Sequence, residues 1–303
     1  MSATKHPSRR DVLALAGSAG GMGILGAACA SSPPKAGCRR LFETMLLTGG
    51  EDRAAVAKQA GFAGMVTSVG THLLPDRDEE EFAARLEKIA SAPLPVRACN
   101  VFLSGSLRAT GPRADHDAIE RHAAKVFHRA GRAGVDRIVF GSASARALPE
   151  GFAQERAKDQ FVALLRRLGP LAAAEGVRVV PENLNRGECN FLTRVEELVP
   201  IVAAVDHPAI RMTADLYHMA REEEDPEHLA AAIPWLAHLE IAEKAKRTVP
   251  GTAGDDFRPY FRVLCRHGWS GWLNVEAAGS DLAGYRRMFA FLDNQIEEAS
   301  VMS

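Results

Sequence analysis

Four acidic residues in the second half of the chain stand at the ends of apolar, strand-like runs. They are Glu182 in Pro181-Glu182-Asn183, Asp215 in Ala214-Asp215-Leu216, Glu240 in His238-Leu239-Glu240-Ile241 and Glu276 in Asn274-Val275-Glu276. A single carboxylate in such a place is ordinary, because it can cap the next helix or pair with a nearby Lys or Arg. Four of them brought to one rim would repel strongly in a low-dielectric site unless a cation sat among them. The set therefore predicts a divalent metal site. A metal there would polarise a carbonyl and acidify the neighbouring C–H, and a carboxylate beside it could move the released proton.

Carboxylates converge in this way only if the strands that carry them run side by side in one direction. From about residue 41 the chain alternates apolar strand-like runs with amphipathic helical ones. The predicted strands are 41–47, 64–69, 96–102, 137–140, 177–181, 210–215, 237–241 and 272–275. Helical stretches include 79–90, 118–133, 155–175 and 194–205. Gly61, Gly134, Gly176 and Gly268 each stand just before a strand, where a left-handed helix cap suits glycine. Eight βα units imply parallel strands with crossover helices, closed into a (β/α)8 TIM barrel over residues 41–303, an α/β fold whose reactive groups come from the C-terminal strand ends. An open doubly wound sheet is the alternative, but no G-x-G-x-x-G turn follows the first strand.

The segments at these strand ends resemble a known family. Glu182-Asn183-Leu184-Asn185-Arg186-Gly187-Glu188 is similar to the E-x-x-N-R-x-E segment of ketose 3-epimerases, members of the xylose-isomerase-like (sugar phosphate isomerase/epimerase) superfamily. Thr213-Ala214-Asp215-Leu216-Tyr217-His218-Met219 resembles their D-T-x-H-M strand end. His238-Leu239-Glu240-Ile241-Ala242-Glu243, followed by Arg247 and Pro250-Gly251, resembles their H-x-H-x-x-E…R-x-P-G segment, where the hydroxypyruvate isomerase branch has H-x-Q. Val275-Glu276 is similar to the last metal ligand. The resemblance covers residues from about 60 to 290, and it is specific in the second half and architectural in the first.

The resemblance implies a metal held by Glu182, Asp215, residue 240 and Glu276, with Glu182 and Glu276 doubling as an acid/base pair. It also implies substrate contacts from Glu188, His218 and Arg247. The sequence departs from the family at residue 240, where Glu stands in place of His or Gln. His238 lies two positions earlier, on the same side of the strand but one layer deeper. That favours Glu240 as the ligand and a core role for His238, with a substrate contact as its functional alternative. The stretch after Glu243 is one residue longer than the family pattern, so Lys246 and Arg247 compete for one role. An all-oxygen shell suits Mn2+ or Mg2+, with Co2+ next, better than Zn2+ or Cu2+.

The activity so implied is a sugar isomerase or epimerase. One carboxylate takes the proton beside a ketose carbonyl, and an enediolate results. A proton returned to the other face gives the epimer, and one returned to the neighbouring carbon gives the isomer. A lyase or hydratase acting on a keto-sugar or glycoside could use the same site, since the enolate can expel a leaving group. A non-catalytic sugar-binding barrel is a third reading. A DNA-repair endonuclease on the related barrel would need more His ligands and a basic face. Among weaker candidates, Arg146 after the fourth strand could reach a substrate hydroxyl or anionic group, or could form a surface ion pair. His72 follows the second strand and Asn100 lies in the third. Glu222-Glu223-Glu224-Asp225 reads as a solvated helix start.

Composition limits the partners. The 303 residues are 47% hydrophobic, enough for one large core, and the net charge is −1, so no basic field points to nucleic acid. At the N-terminus, Ser8-Arg9-Arg10-Asp11-Val12-Leu13 precedes a weakly apolar, Gly- and Ala-rich run ending in Ala28-Cys29-Ala30. This pattern predicts a cleavable twin-arginine signal over residues 1–30, the Tat export machinery as a partner, a periplasmic location and a linker over 31–40. Cys29 as a lipid anchor is the alternative. The run is too short for a comfortable membrane span. A homo-oligomer is left open.

Overall fold

The computed structural model describes residues 41–301. The expected export signal, Cys29 and the linker lie outside the described residues. The eight strands are β1 (Phe42–Thr48), β2 (Gly64–Ser68), β3 (Val96–Asn100), β4 (Arg137–Phe140), β5 (Arg178–Pro181), β6 (Met212–Asp215), β7 (Leu236–Ile241) and β8 (Gly271–Val275). Each is parallel to its neighbours, in the order β5-β4-β3-β2-β1-β8-β7-β6. Between β5 and β6 there is no full ladder. Two isolated bridges, Val179 with Ile210 and Glu182 with Thr213, bring the ends together and nearly close the barrel. The Asn183 side chain extends this join. Its Oδ1 accepts from the Asp215 N–H at 2.9 Å and its Nδ2 donates to the Asp215 carbonyl at 3.2 Å.

Helices follow the strands as crossovers, among them Glu79–Ala90, His116–Ala133, Gln154–Ala174, Val195–Val205 and Leu282–Val301. The four glycines expected as helix caps all take positive φ, from 62° to 113°. The main core lies between the strands and these helices. Phe102, Phe140, Phe161 and Phe191 form a row with ring centroids 5.1–5.9 Å apart. It packs behind the C-terminal ends of β3 to β5, and truncating a buried Phe of this kind costs about 3–5 kcal/mol. A second, smaller cluster of Leu46, Val66 and Ala98, with Trp272 against it, is separate from the main core. Residues alternate along each strand, so Thr48, Glu240 and Asn274, which bonds to the other two, share the barrel interior with this cluster.

One local expectation is corrected. Glu222-Glu223-Glu224-Asp225 is not a solvated helix start. Glu224 is buried, and its carboxylate accepts the N–H groups of Val195 and Glu196 at 3.0 and 3.2 Å. It thus satisfies orphan donors at the start of the Val195–Val205 helix, a capping role supplied from a distant loop.

Candidate metal centre and active site

The four strand-end carboxylates do converge. Glu182, Asp215, Glu240 and Glu276 each offer an oxygen, and these oxygens lie within 4.8 Å of one another. Glu182, Asp215 and Glu240 are buried, while the Glu276 side chain keeps 21% of its surface exposed and so marks the open side. Strand register sets this convergence, because Asp215 pairs with Glu240 and Glu240 with Asn274 across β6, β7 and β8. Helix Leu216–Arg221 starts directly after β6. Its first N–H groups, those of Tyr217 and His218, hold Asp215 Oδ1 at 2.7 and 3.3 Å.

Amides position the other carboxylates. Asn274 Nδ2 lies 2.8 Å from Glu240 Oε1 and 2.8 Å from Thr48 Oγ1, and Asn100 Nδ2 donates to Glu276 Oε1 at 2.8 Å. Glu240 Oε2 is buried and has no hydrogen-bond partner among the described residues. A fully buried Arg146 lies behind Glu182, donating to its backbone carbonyl at 2.8 Å and to that of Phe140 at 3.3 Å. Gly141 leaves room for the Glu182 carboxylate, since a Cβ there would overlap its Oε2.

Arg247 reaches in from the loop after β7. Its guanidinium ion-pairs with Glu276, lies 3.4 Å from Asp215 Oδ2 and 3.5 Å from Glu188, and rests 4.6 Å from the Tyr217 ring centroid. Lys246 and Arg247 both have left-handed backbone, with φ of 58° and 52°, which is strained for side-chain-bearing residues. Buried Glu243 holds this loop by accepting the N–H groups of Gly251 and Gly254 at 2.8 and 2.9 Å and that of Ala253.

His218 lies 3.4 Å from Asp215 and 3.6 Å from Glu182, so it forms a second possible ligand group with them. Its tautomer separates the two groups. Asn185 Oδ1 accepts from the Gly187 N–H at 2.9 Å, so Asn185 Nδ2 is the atom facing His218 Nδ1 at 2.7 Å. Nδ1 is then the acceptor, and Nε2 carries the proton and points at the carboxylates as a donor. Asn185 also donates to Glu188 at 3.1 Å, tying these two residues together.

The remaining expected residues fall outside this cluster. His238 is fully buried beneath Glu240, with Nε2 3.7 Å from Glu240 Oε1. Lys246 is exposed, and of the two competitors Arg247 faces the carboxylates. Arg146 is an interior strut rather than a surface partner. His72 is buried beside Arg85, 3.3 Å away. Asn100, a weaker candidate in the sequence, holds Glu276, while Thr48, Asn183, Asn185, Glu243 and Asn274 support the site but carry no role in the sequence reading. Most of them are polar residues at or next to strand ends, a position that marks them as neighbours of the site but does not say what each holds.

Electrostatics favours a cation. Burial, then repulsion from Glu276 and Asp215, raises the Glu182 carboxyl well above the usual range. Burial and its three acidic neighbours do the same to Glu240, and burial raises Asp215. Glu276 is pushed up to about 7, chiefly by burial, with Arg247 opposing. Burial pushes His218 down to about 3, so it is neutral at ordinary pH. Hard oxygen donors, mutual repulsion and an unpaired buried carboxylate oxygen fit a hard divalent ion.

Comparison with known proteins agrees with this architecture. An inosose dehydratase of Clostridium botulinum is 27% identical over 136 residues, 37% of this chain and 44% of that protein. An L-ribulose 3-epimerase of a Methylomonas species is 29% identical over 133 residues, 44% of this chain and 46% of that protein. The chain thus spans about half the length of the curated relatives it matches. The solved D-allulose 3-epimerase of Methylomonas superposes with a TM-score of 0.69 at 20% identity, over 86% of this chain and 99% of that one. The model of the xylose isomerase-like TIM barrel family matches residues 54–295, and the chain belongs to that family.

Proposed function

We propose that the protein is a divalent-metal-dependent isomerase or epimerase acting on a ketose or related keto-sugar through an enediolate. The observation that carries this reading is the convergence of four carboxylates from β5 to β8 on one point. Glu182, Asp215, Glu240 and Glu276 would hold Mn2+ or Mg2+, with Co2+ as a substitute. The metal would polarise the substrate carbonyl and make the adjacent C–H acidic. Glu182 and Glu276 are the acid/base pair, one taking the proton and the other returning one. His218 Nε2–H and the Arg247 guanidinium donate to substrate oxygens, and Glu188 accepts from a hydroxyl while holding Arg247. Arg146 holds the backbone of Glu182, Asn100 fixes the Glu276 carboxylate, and His238 supports Glu240 from below.

The test is proton exchange from a ketose in D2O, followed by mass spectrometry and product analysis. Deuterium should enter at the carbon beside the carbonyl, and both exchange and turnover should fall about 10²–10⁴-fold in Glu182→Gln and in Glu276→Gln. Near-wild-type turnover in either variant defeats the two-carboxylate mechanism. Loss of 18 mass units from the sugar would favour the hydratase reading, which the inosose dehydratase relative supports. Binding without exchange would leave a sugar-binding barrel.

We also propose that residues 1–30 direct twin-arginine export to the periplasm, on the strength of Arg9-Arg10 and the weakly apolar run behind them. Replacing both arginines by lysine should leave the protein in the cytoplasmic fraction, and unimpaired export of that variant would refute the assignment.

A further inference from the structure

The opposite end of the barrel carries the reverse charge. Arg137 and Arg178 are the first residues of β4 and β5, and Arg211 immediately precedes β6. They line a cavity of about 260 Å3 at the N-terminal strand ends, together with Glu43, Ser270 and Trp272. Three guanidinium groups there face one carboxylate. Glu43 is already engaged by the Ser270 hydroxyl at 2.8 Å. A fourth arginine nearby, Arg97, is neutralised by Asp136 at 2.6 Å.

Arg137 is the unusual member. It is only 6% exposed, yet its Nε and Nη1 have no hydrogen-bond partner among the described residues. Its guanidinium stacks on the Trp272 ring at 3.3 Å from the centroid, which fixes its plane without satisfying its N–H groups. Burial, with Arg178 adding repulsion, pushes its proton affinity down to about 9. A buried cation without a paired anion is costly; Nε and Nη1 are sealed, so Arg137 would offset that cost by donating to an oxyanion through Nη2 from the wall of the cavity that it lines. Arg178 is exposed at the rim and Arg211 half-buried, tied to the His207 and Ile210 carbonyls at 3.1 and 3.0 Å.

The geometry points to a second ligand site at the N-terminal end of the barrel, in which Arg137, Arg178 and Arg211 bind a small doubly charged oxyanion of the phosphate class. Three cations against one anion leave a charge of +2 to be matched. The ligand is either free phosphate or the phosphate group of a small metabolite. The site is separate from the carboxylate cluster, because His238 and the rest of the barrel interior lie between them.

The experiment is calorimetric titration of the purified protein with sodium phosphate, in EDTA so that no metal-borne anion contributes, against sodium chloride at matched ionic strength. One phosphate should bind per chain and raise the melting temperature above the chloride control. The double variant Arg178→Gln/Arg211→Gln should weaken binding at least tenfold. Its melting temperature in chloride verifies that it folds, and the single exposed change Arg178→Gln should show a smaller loss in the same direction. Arg247→Gln, at the far mouth, should bind phosphate as wild type does. Equal stabilisation by phosphate and chloride would overturn the site, as would loss of binding in Arg247→Gln with retention in the double variant. Glucose 6-phosphate binding more tightly than inorganic phosphate would identify a phosphorylated metabolite as the source, and equal affinity would identify the free ion.

Discussion

At the scale of single residues, position 240 would decide the chemistry of a metal held by the four carboxylates. An imidazole there would give one neutral nitrogen and three carboxylates, whereas Glu240 makes the set wholly oxygen with a formal charge of −4. The structure offers Glu240 Oε2 unpaired and fixes Oε1 through Asn274. Glu240→His should therefore shift metal preference from Mn2+ and Mg2+ towards Co2+ and Zn2+. Metal content after equilibration with equal concentrations of the four ions checks this without an activity assay. Identical profiles for variant and wild type would mean that residue 240 is not a ligand. The charged members of this cluster were readable in the sequence because repulsion among carboxylates is a strong signal. The amides were not, since an asparagine at a strand end carries no such signal until its partner is known. Asn274 is informative only beside Glu240, and Asn185 only beside His218.

At the scale of elements, strands and major helices were legible from apolar periodicity, and β4 and the Glu79–Ala90 helix have the expected bounds. Short helices were not. Ala143–Arg146 and Leu216–Arg221 follow strands directly and are too brief to develop a periodic pattern. The buried capping role of Glu224 was hidden for a similar reason, because its partners lie 28–29 residues away. The loop after β7 shows what such distant contacts achieve. Glu243 gathers N–H groups from residues 8–11 positions on and so holds Arg247 in a left-handed turn. Glu243→Ala should release Arg247 with little change in overall fold. The expected result is a KM for sugar raised about 10-fold or more, with unchanged far-UV circular dichroism. The estimate corresponds to roughly 1.4 kcal/mol per tenfold change. A KM within twofold of wild type would show that Arg247 does not need this support.

At the scale of the whole molecule, a net charge of −1 conceals a separation along the barrel axis, with acids at one end of the strands and arginines at the other. Without a cation, the acidic end should make stability depend on pH. Glu276 is raised to about 7, with Glu182, Glu240 and Asp215 shifted in the same direction. The folded protein therefore holds more protons than the unfolded chain above the usual carboxylate range, and stability falls as pH rises. His72, His218 and His238 are shifted down and act oppositely, but only below their ordinary value of 6.5. The histidines drop out above about 6.5 and Glu276 is fully ionised in both states above its folded value of about 7, so its share of the fall is complete by then, and any fall at higher pH reports Glu182 and Glu240. Urea melts in EDTA should show this fall, and Mn2+ should abolish it. A flat profile in EDTA would mean that the carboxylates are not mutually strained. The join between β5 and β6 indicates where such strain would be released. A cylinder opens at its weakest stave, and here two backbone bridges and one asparagine span the gap that Glu182 and Asp215 flank. A cation shared by those two carboxylates would act as a rivet across the gap. Its removal should be felt first as local breathing, with amide protons of β5 and β6 exchanging with solvent long before the helices around them loosen.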